Sequence, residues 1–388
     1  MLNDPLMPNG LEALEITEWS RLQHAYGHAT DTPKHLRALL EKDAEARKEA
    51  IFHLWSAVIH QGTPWTATAP TAAVVAGLLS DERIDRGDRA NLLSFLVSVA
   101  EVAAQPDPAE ELVLQAVVDI GSLPGADNEE AIYQSDEEMD ACYARAILGC
   151  IQVAPLLLRT MLRELDDSNA AVRMRAAMGA VVLMRVNSLG NRTGEIKSRL
   201  LSMAQATHNN DERGALLLSM GELGFSPIDY LADPSGAVRM CAALAPGLAE
   251  NPAAIDVLIE ILQEHAGSIE EWFMENPPQF SMHPRFAVVR RLLDQVRDFE
   301  RLAGAAVAVL EVTAKYSVDF DWGPLLAAAF PEGNGKLSTH ARCRFLSALV
   351  EKEEFWDPNF GNALKWFQMA GLPYNRDECA LRVSSGLN

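Results

Sequence analysis

The residues here that could do chemistry are nine histidines, five cysteines and a scatter of acids. Their spacing limits what that chemistry can be. His24 and His28 stand one helical turn apart, as two zinc ligands on a helix would, but Gly27 between them weakens any helix that would align them. His53 and His60 would share a face if one helix ran through both, yet no Cys or acid offers an obvious third ligand. Neither pair matches His-Glu-x-x-His, so all four read as structural, and no metal site and no cofactor are expected. Asp319-Phe320-Asp321 has the spacing of a metal-binding acidic pair. Trp322-Gly323-Pro324 follows it, however, and Asp321 is read more simply as a turn or cap residue. Gly335-Lys336 in PEGNGKLST fails as a phosphate loop, with Phe330 where the first glycine belongs and Leu337 in place of Ser or Thr. The cysteines, Cys142, Cys150, Cys241, Cys343 and Cys379, are odd in number and form no Cys-x-x-Cys pair. They read as reduced thiols of a cytoplasmic protein, mostly small core residues on helices. No Gly-x-Ser-x-Gly elbow is present, so no catalytic residue is expected.

Whatever those residues do, helices must position them. The 388-residue chain is 48% hydrophobic and only 7% aromatic, and it is rich in Ala and Leu, the composition of helices in close contact. Few stretches alternate with period two, so sheet is not expected and the fold class reads as all-α. At this length one compact core is not expected, whereas a stack of repeats escapes the limit because each repeat buries its apolar face only against its neighbours. Thr32-Pro33, Asp107-Pro108, Asp233-Pro234, Asn251-Pro252 and Asp357-Pro358 read as helix starts, a capping oxygen followed by a proline whose missing N–H costs nothing in the first turn. Leu92, Leu93, Phe95, Leu96, Val99 and Ala100 form one apolar face, and Leu156, Leu157, Thr160, Met161 and Leu165 another. The opening MLNDPLMPNG has neither a basic leader nor an apolar core, so no signal peptide is expected. No window approaches about 18 uninterrupted apolar residues, which argues against a membrane span.

Two turns repeat each other. Leu165 is followed by Asp167, Val172, Arg173, Ala176 and Ala177; at the same spacing, Leu231 is followed by Asp233, Val238, Arg239, Ala242 and Ala243. A weaker copy runs Leu39, Glu41, Ala46, Arg47, Ala50, and at Arg89, Arg145, Arg213 and Arg342 only an arginine leading an apolar helix survives. The acid sits in a turn, the arginine enters the next helix, and the small residues let that helix pack closely. This pattern resembles the HEAT repeat, and the segment HATDTPKHLRALL is similar to uncharacterised bacterial HEAT-like proteins. The resemblance implies an α-solenoid of stacked antiparallel helix pairs, with Asp167, Arg173, Asp233 and Arg239 in a structural ladder of charge-assisted hydrogen bonds between repeats. The expected organisation is one array over 1–388. Degenerate repeats with an acidic loop at 121–140 occupy 1–145, the best-matching repeats 146–265, and further degenerate repeats 266–388.

The charge is uneven. The chain carries 54 acids against 33 lysines and arginines, net −21. From Ala90 to Ala144 there is no Lys, Arg or His, and from Met240 to Pro284 no Lys or Arg; outside these stretches acids and bases nearly balance. Dense like charge destabilises a compact state, so an electronegative surface that attracts and steers a basic protein is one reading, and a solubility device with a disordered acidic loop is the other. Candidate partner-binding residues are Glu129, Glu130, Tyr133, Asp136, Glu137, Glu138 and Asp140 in the first stretch, and Glu270, Glu271, Trp272, Glu275 and Phe280 in the second. Trp65, in the turn HQGTPWTATAP, joins them as an aromatic anchor. Direct nucleic-acid binding is not expected, because the one basic run, Arg285, Arg290, Arg291, Arg297 and Arg301, is interrupted by acids and reads as a salt-bridged helix face. The functional expectation is a non-catalytic binding module, an adaptor or an inhibitor, one form being an immunity protein that neutralises a cationic toxin. A HEAT-like enzyme of lyase or glycosylase type, or a structural assembly subunit, is the alternative.

Overall fold

The computed structural model describes residues 7–105, 109–116, 136–357 and 359–386. Glu129, Glu130, Tyr133 and the expected helix start at Asp107-Pro108 lie outside the described residues, as do the side chains of Asp136 and Glu137. The described chain is all-α. It forms two compact units, Met1–Leu200 and Leu201–Asn388, divided inside a helix of the 146–265 segment.

The first unit contains α1 (Gly10–Ile16), α2 (Thr32–Ala38), α3 (Ala44–His53), α4 (Thr68–Leu78), α5 (Arg89–Ala103), α6 (Ala109–Ala116), α7 (Asp136–Glu164), α8 (Ala170–Leu183) and the start of α9 (Thr193–Ala206). α4 packs on α1 and α7, and α5 on α7 and α8. The apolar face expected on α5 is buried, with Leu92, Leu93, Phe95, Leu96, Val99 and Ala100 all closed to solvent. α7 is 29 residues long and carries Pro155 internally. Its span Glu138–Glu164 is long and apolar enough to cross a membrane by length and composition. In this unit that surface is packed against α4, α5, α6 and α8, the ordinary fate of a core helix.

Sheet was not expected, and two very short antiparallel ribbons interrupt the helices. β1 (Gln23–His24) pairs with β2 (Gly27–His28), and β3 (Ile59–His60) with β4 (Thr63–Pro64). The second closes through Gln61 and Gly62, both at positive φ (51° and 84°), the backbone a two-residue hairpin turn requires. β3 therefore takes His60 out of α3, and a π-helical turn over Leu54–Val58 separates it from His53.

The second unit contains α10 (Asn210–Glu222), α11 (Gly236–Leu244), α12 (Pro252–His265), α13 (Pro284–Gln295), α14 (Phe299–Val312), α15 (Trp322–Ala329), α16 (His340–Glu351), α17 (Gly361–Ala370) and α18 (Arg376–Ser384). α12 packs on α14, α14 on α16 and α16 on α18; alongside, α11 packs on α13, α13 on α15 and α15 on α17. Small residues permit this approach: a Cβ on Gly214 would stand 2.8 Å from Cys241 Sγ, and one on Gly221 2.8 Å from Ala245 Cβ. Asn251 caps α12 as expected, accepting from the amides of Ala253 and Ala254. At Asp233-Pro234 the cap lies two residues later, because Asp233 accepts from Ser235 N and leaves Ser235 as the cap of α11.

The repeated turns share one bonding pattern. Arg173 Nη1 donates to the carbonyls of Asp167 and Ser168, and Arg239 Nη1 to those of Asp233 and Pro234. In the weaker copy Arg47 Nη1 donates to Glu41 and Lys42. Arg213 reaches the Thr207 carbonyl and Arg342 that of Lys336, at the same separation of six positions. Each arginine ties its helix to the turn before it. The turn carboxylates accept from arginines elsewhere: Asp167 from Arg89, and Asp233 from Arg213.

Candidate functional site

The richest site in the second unit is built by the loop from Met274 to His283. Its course is set from below by α10. Asp211 Oδ2 accepts from the amides of Met274 and Glu275 at 3.0 and 2.9 Å, and Gln279 Nε2 donates to the Ala215 carbonyl and to Ser219 Oγ. Asp211 is buried, so these charge-assisted bonds are what make its carboxylate tolerable there. Phe280 sets its ring edge-on against Phe273, with centroids 6.1 Å apart.

Beside this loop lies a cleft of ≈ 480 Å³, walled by Phe280, Met282, His283, Phe286 and Phe320 with Arg290, Asp294 and Asp319 among its polar members. A second recess of ≈ 200 Å³ shares Gln279, Phe280, Arg290 and Asp294 and adds Glu222 and Arg291. Two buried polar atoms of these walls, Gln279 Oε1 and Arg291 Nη1, have no protein partner. One accepts and the other donates. Buried unpaired polar atoms are uncommon and costly. Burial lowers the Arg291 guanidinium from its ordinary value, against the nearby charges of Asp294 and Glu222.

An ion network supports the cleft from behind. Arg285 is buried and lies 3.3 Å from Glu270 and 3.5 Å from Asp321. Asp321 caps α15 through Trp322 N and accepts from Thr313 and Ser317, the turn role expected of it. Burial pushes its carboxyl up, opposed by those hydrogen bonds and by Arg285. Arg301 pairs with Asp256. The basic run thus supplies salt bridges at Arg285 and Arg301, while Arg290 lines the cleft and both Arg290 and Arg291 line the smaller recess.

The second acidic stretch is legible as a surface. Ala254, Ile255, Leu258, Ile259, Ile261 and Leu262 of α12 are buried, while Asp256, Glu260 and Glu264, one turn apart from each other, are exposed. Glu271, Met274 and Glu275 are exposed beyond them, Glu270 is half-buried in the ion pair, and Trp272 is half-buried against His265. In the first unit Glu138 is half-buried and Asp140 exposed at the start of α7, beside exposed Met139 and Tyr143. Trp65 is half-buried in the turn before α4, its amide bonded to Thr68 Oγ1. Phe355 and Phe367 near the C-terminus are buried, with Phe355 stacked on Trp322.

The histidines pair differently from their spacing. His24 on β1 meets His53 at the end of α3, with rings 5.4 Å apart, rather than His28; and His53 and His60 do not share a helix. Burial and the neighbouring His35 hold His53 down to about 4, against the opposing charge of Asp31. All five cysteines are free, with Cys150, Cys241 and Cys379 buried and their thiols raised by burial.

No protein family, curated protein or solved structure matches this chain.

Proposed function

We propose that the chain is a non-catalytic protein-binding module of HEAT-like, stacked-pair architecture that grips a basic partner through an acidic surface. The observation that carries this reading is that a stretch of the second unit without Lys or Arg ends in a loop that walls an aromatic cleft. Asp256, Glu260 and Glu264 share one exposed face of α12, Asp256 paired with Arg301; Glu271 and Glu275 are exposed further along the chain, and the stretch Met240–Pro284 contains no Lys or Arg. The cleft beside Phe280 and Met282 offers the apolar anchorage that charge alone lacks, since buried anchors carry most of the binding energy and rim charges mostly steer approach. The alternating rows α12–α14–α16–α18 and α11–α13–α15–α17 support the stacked-pair architecture. An immunity protein that covers a cationic toxin is one concrete form of this function, and a cytoplasmic setting suits its five free cysteines.

The test is capture of partners from native lysate by the tagged protein, eluted along a salt gradient and identified by mass spectrometry. The same capture is then run with Glu260, Glu264, Glu271 and Glu275 changed together to Gln. A basic protein released as salt rises, and lost in the Gln variant while thermal stability holds or rises, supports the reading. Full binding by the Gln variant refutes it.

A further inference from the structure

Two ribbons and the end of a helix converge in the Met1–Leu200 unit. The β1–β2 ribbon is pinned to the segment before α4, Gln23 N bonding Thr66 Oγ1 and Ala67 N bonding the Gln23 carbonyl, while Ala25 N bonds the Ala57 carbonyl. This brackets three side chains that the sequence holds far apart. His24 Nε2 lies 2.9 Å from Asp31 Oδ1, at the entrance to α2. His53 closes α3 and lies edge-on to His24. One ligand atom from each of His24, Asp31 and His53 falls within 4.8 Å of the other two.

We propose that His24, Asp31 and His53 bind one divalent transition-metal ion, with zinc the simplest occupant. Two imidazole nitrogens and one carboxylate oxygen are the donor set of three-ligand zinc sites that keep a position open. Both imidazoles are buried, at 4% and 7% exposure, so their ring planes are fixed by packing. His35 stacks face to face on His53 at 4.2 Å and fixes that plane, while Thr32 Oγ1 hydrogen-bonds His53 Nε2 at 2.9 Å, so an ion taken up on that nitrogen displaces the Thr32 hydroxyl. The Asp31 side chain is half exposed and gives the ion a route from solvent. In a tetrahedral zinc site with bonds of about 2.0–2.1 Å the ligand atoms stand about 3.4 Å apart. His24 Nε2 and Asp31 Oδ1, now 2.9 Å apart, must open by about 0.5 Å, and the His53 nitrogen, within 4.8 Å of both, must close by no more than about 1.4 Å. The π-helical turn directly after His53 is a further irregularity of the kind concentrated at functional sites.

The proton bookkeeping is specific. His24 Nδ1 accepts from the Tyr26 amide at 3.1 Å, so its proton sits on Nε2 and is donated to Asp31. An ion on Nε2 takes that proton's place and the proton moves to Nδ1, so no net proton is released; Nδ1–H then faces the Tyr26 N–H, and the Tyr26 amide must turn away from it. Tyr26 lies in the exposed ribbon turn, where solvent can take over that bond. Uptake therefore has a signature away from the ligands.

The experiment uses the full chain, stripped with chelator and titrated with cobalt(II) by visible absorption and with zinc by calorimetry, while the Tyr26 amide is followed by NMR. Wild type is expected to take one ion with a ligand-field band and to shift the Tyr26 amide. Asp31→Asn and His24→Gln should each weaken uptake by about 10-fold or more, and His60→Gln should match wild type. Absence of uptake in wild type, or equal uptake in Asp31→Asn and His24→Gln, overturns the site. Far-UV circular dichroism checks each variant, and Asp31→Asn, at a half-exposed position, decides the matter if His24→Gln fails to fold.

Discussion

Arg89 and Asp167, 78 positions apart in sequence, meet at 3.0 Å between Nε and Oδ2. The same guanidinium bonds Glu164, which is 3% exposed and also receives Arg163, and the Leu79 carbonyl. One arginine therefore fastens the start of α5 to the end of α7 and to the turn before α8. Removing one partner of a buried pair costs more than the pair contributes, because the other charge stays buried.

Arg89→Met should accordingly destabilise the protein by about 3 kcal/mol, with Arg163 still covering part of Glu164. Arg173→Ala removes bonds to two turn carbonyls and should lower the melting temperature by less, with a loss of about 1–2 kcal/mol. Urea denaturation followed by circular dichroism ranks the two. A neutral Arg89→Met would show that the cross-helix network contributes no stability.

Asp211→Ala strips the loop at Met274–Glu275 of both amide contacts. Expected are a stability loss of about 2 kcal/mol and faster amide exchange at Met274 and Glu275. If partner binding resides in the cleft, affinity falls as well, since the loop carries Phe280 and Met282. Exchange rates unchanged from wild type would separate Asp211 from loop positioning.

The Asp321 carboxyl titrates above its ordinary 3.8 because it is buried, and Arg285 opposes that rise. Its folded value exceeds the unfolded one, so this group favours folding while protonated. That contribution is complete below the unfolded value and is lost as pH rises through the folded value. Carbon-detected NMR titration of Asp321 should give a midpoint above 3.8, and Arg285→Met should move it further up. A downward move would invert the assigned role of Arg285.

Gly77 of α4 faces Gly10 of α1, and a Cβ there would stand 2.2 Å from Gly10 N. Backbone cannot yield as a flexible side chain can, so Gly77→Ala should force α1 away from α4 and cost about 1–3 kcal/mol. Limited proteolysis near the N-terminus, read beside the melting temperature, tests this. An intact α1 with an unchanged melting temperature would contradict it.

Much of the fold was written locally. Apolar spacing put Leu92 through Ala100 on one face of α5, and Asn251-Pro252 marked the start of α12, because helix periodicity and capping act over a few residues. The repeated spacing from Asp167 to Arg173 and from Asp233 to Arg239 announced a shared turn, and each of those arginines does close onto its own turn. The charge asymmetry likewise needed only the order of residues along the chain, and helix period alone places Asp256, Glu260 and Glu264 on one face. Tertiary structure decided the rest, for a physical reason: a hydrogen bond depends on distance in space, and packing brings together what the chain separates. Nothing in the spacing of His24, Asp31 and His53 marks them as neighbours. They meet because a ribbon no period-two pattern announced folds β1 back onto the end of α3. The carboxylate partners Arg89 and Arg213, and the pinning of the 274–283 loop by Asp211 and Gln279, likewise depend on which helices lie side by side.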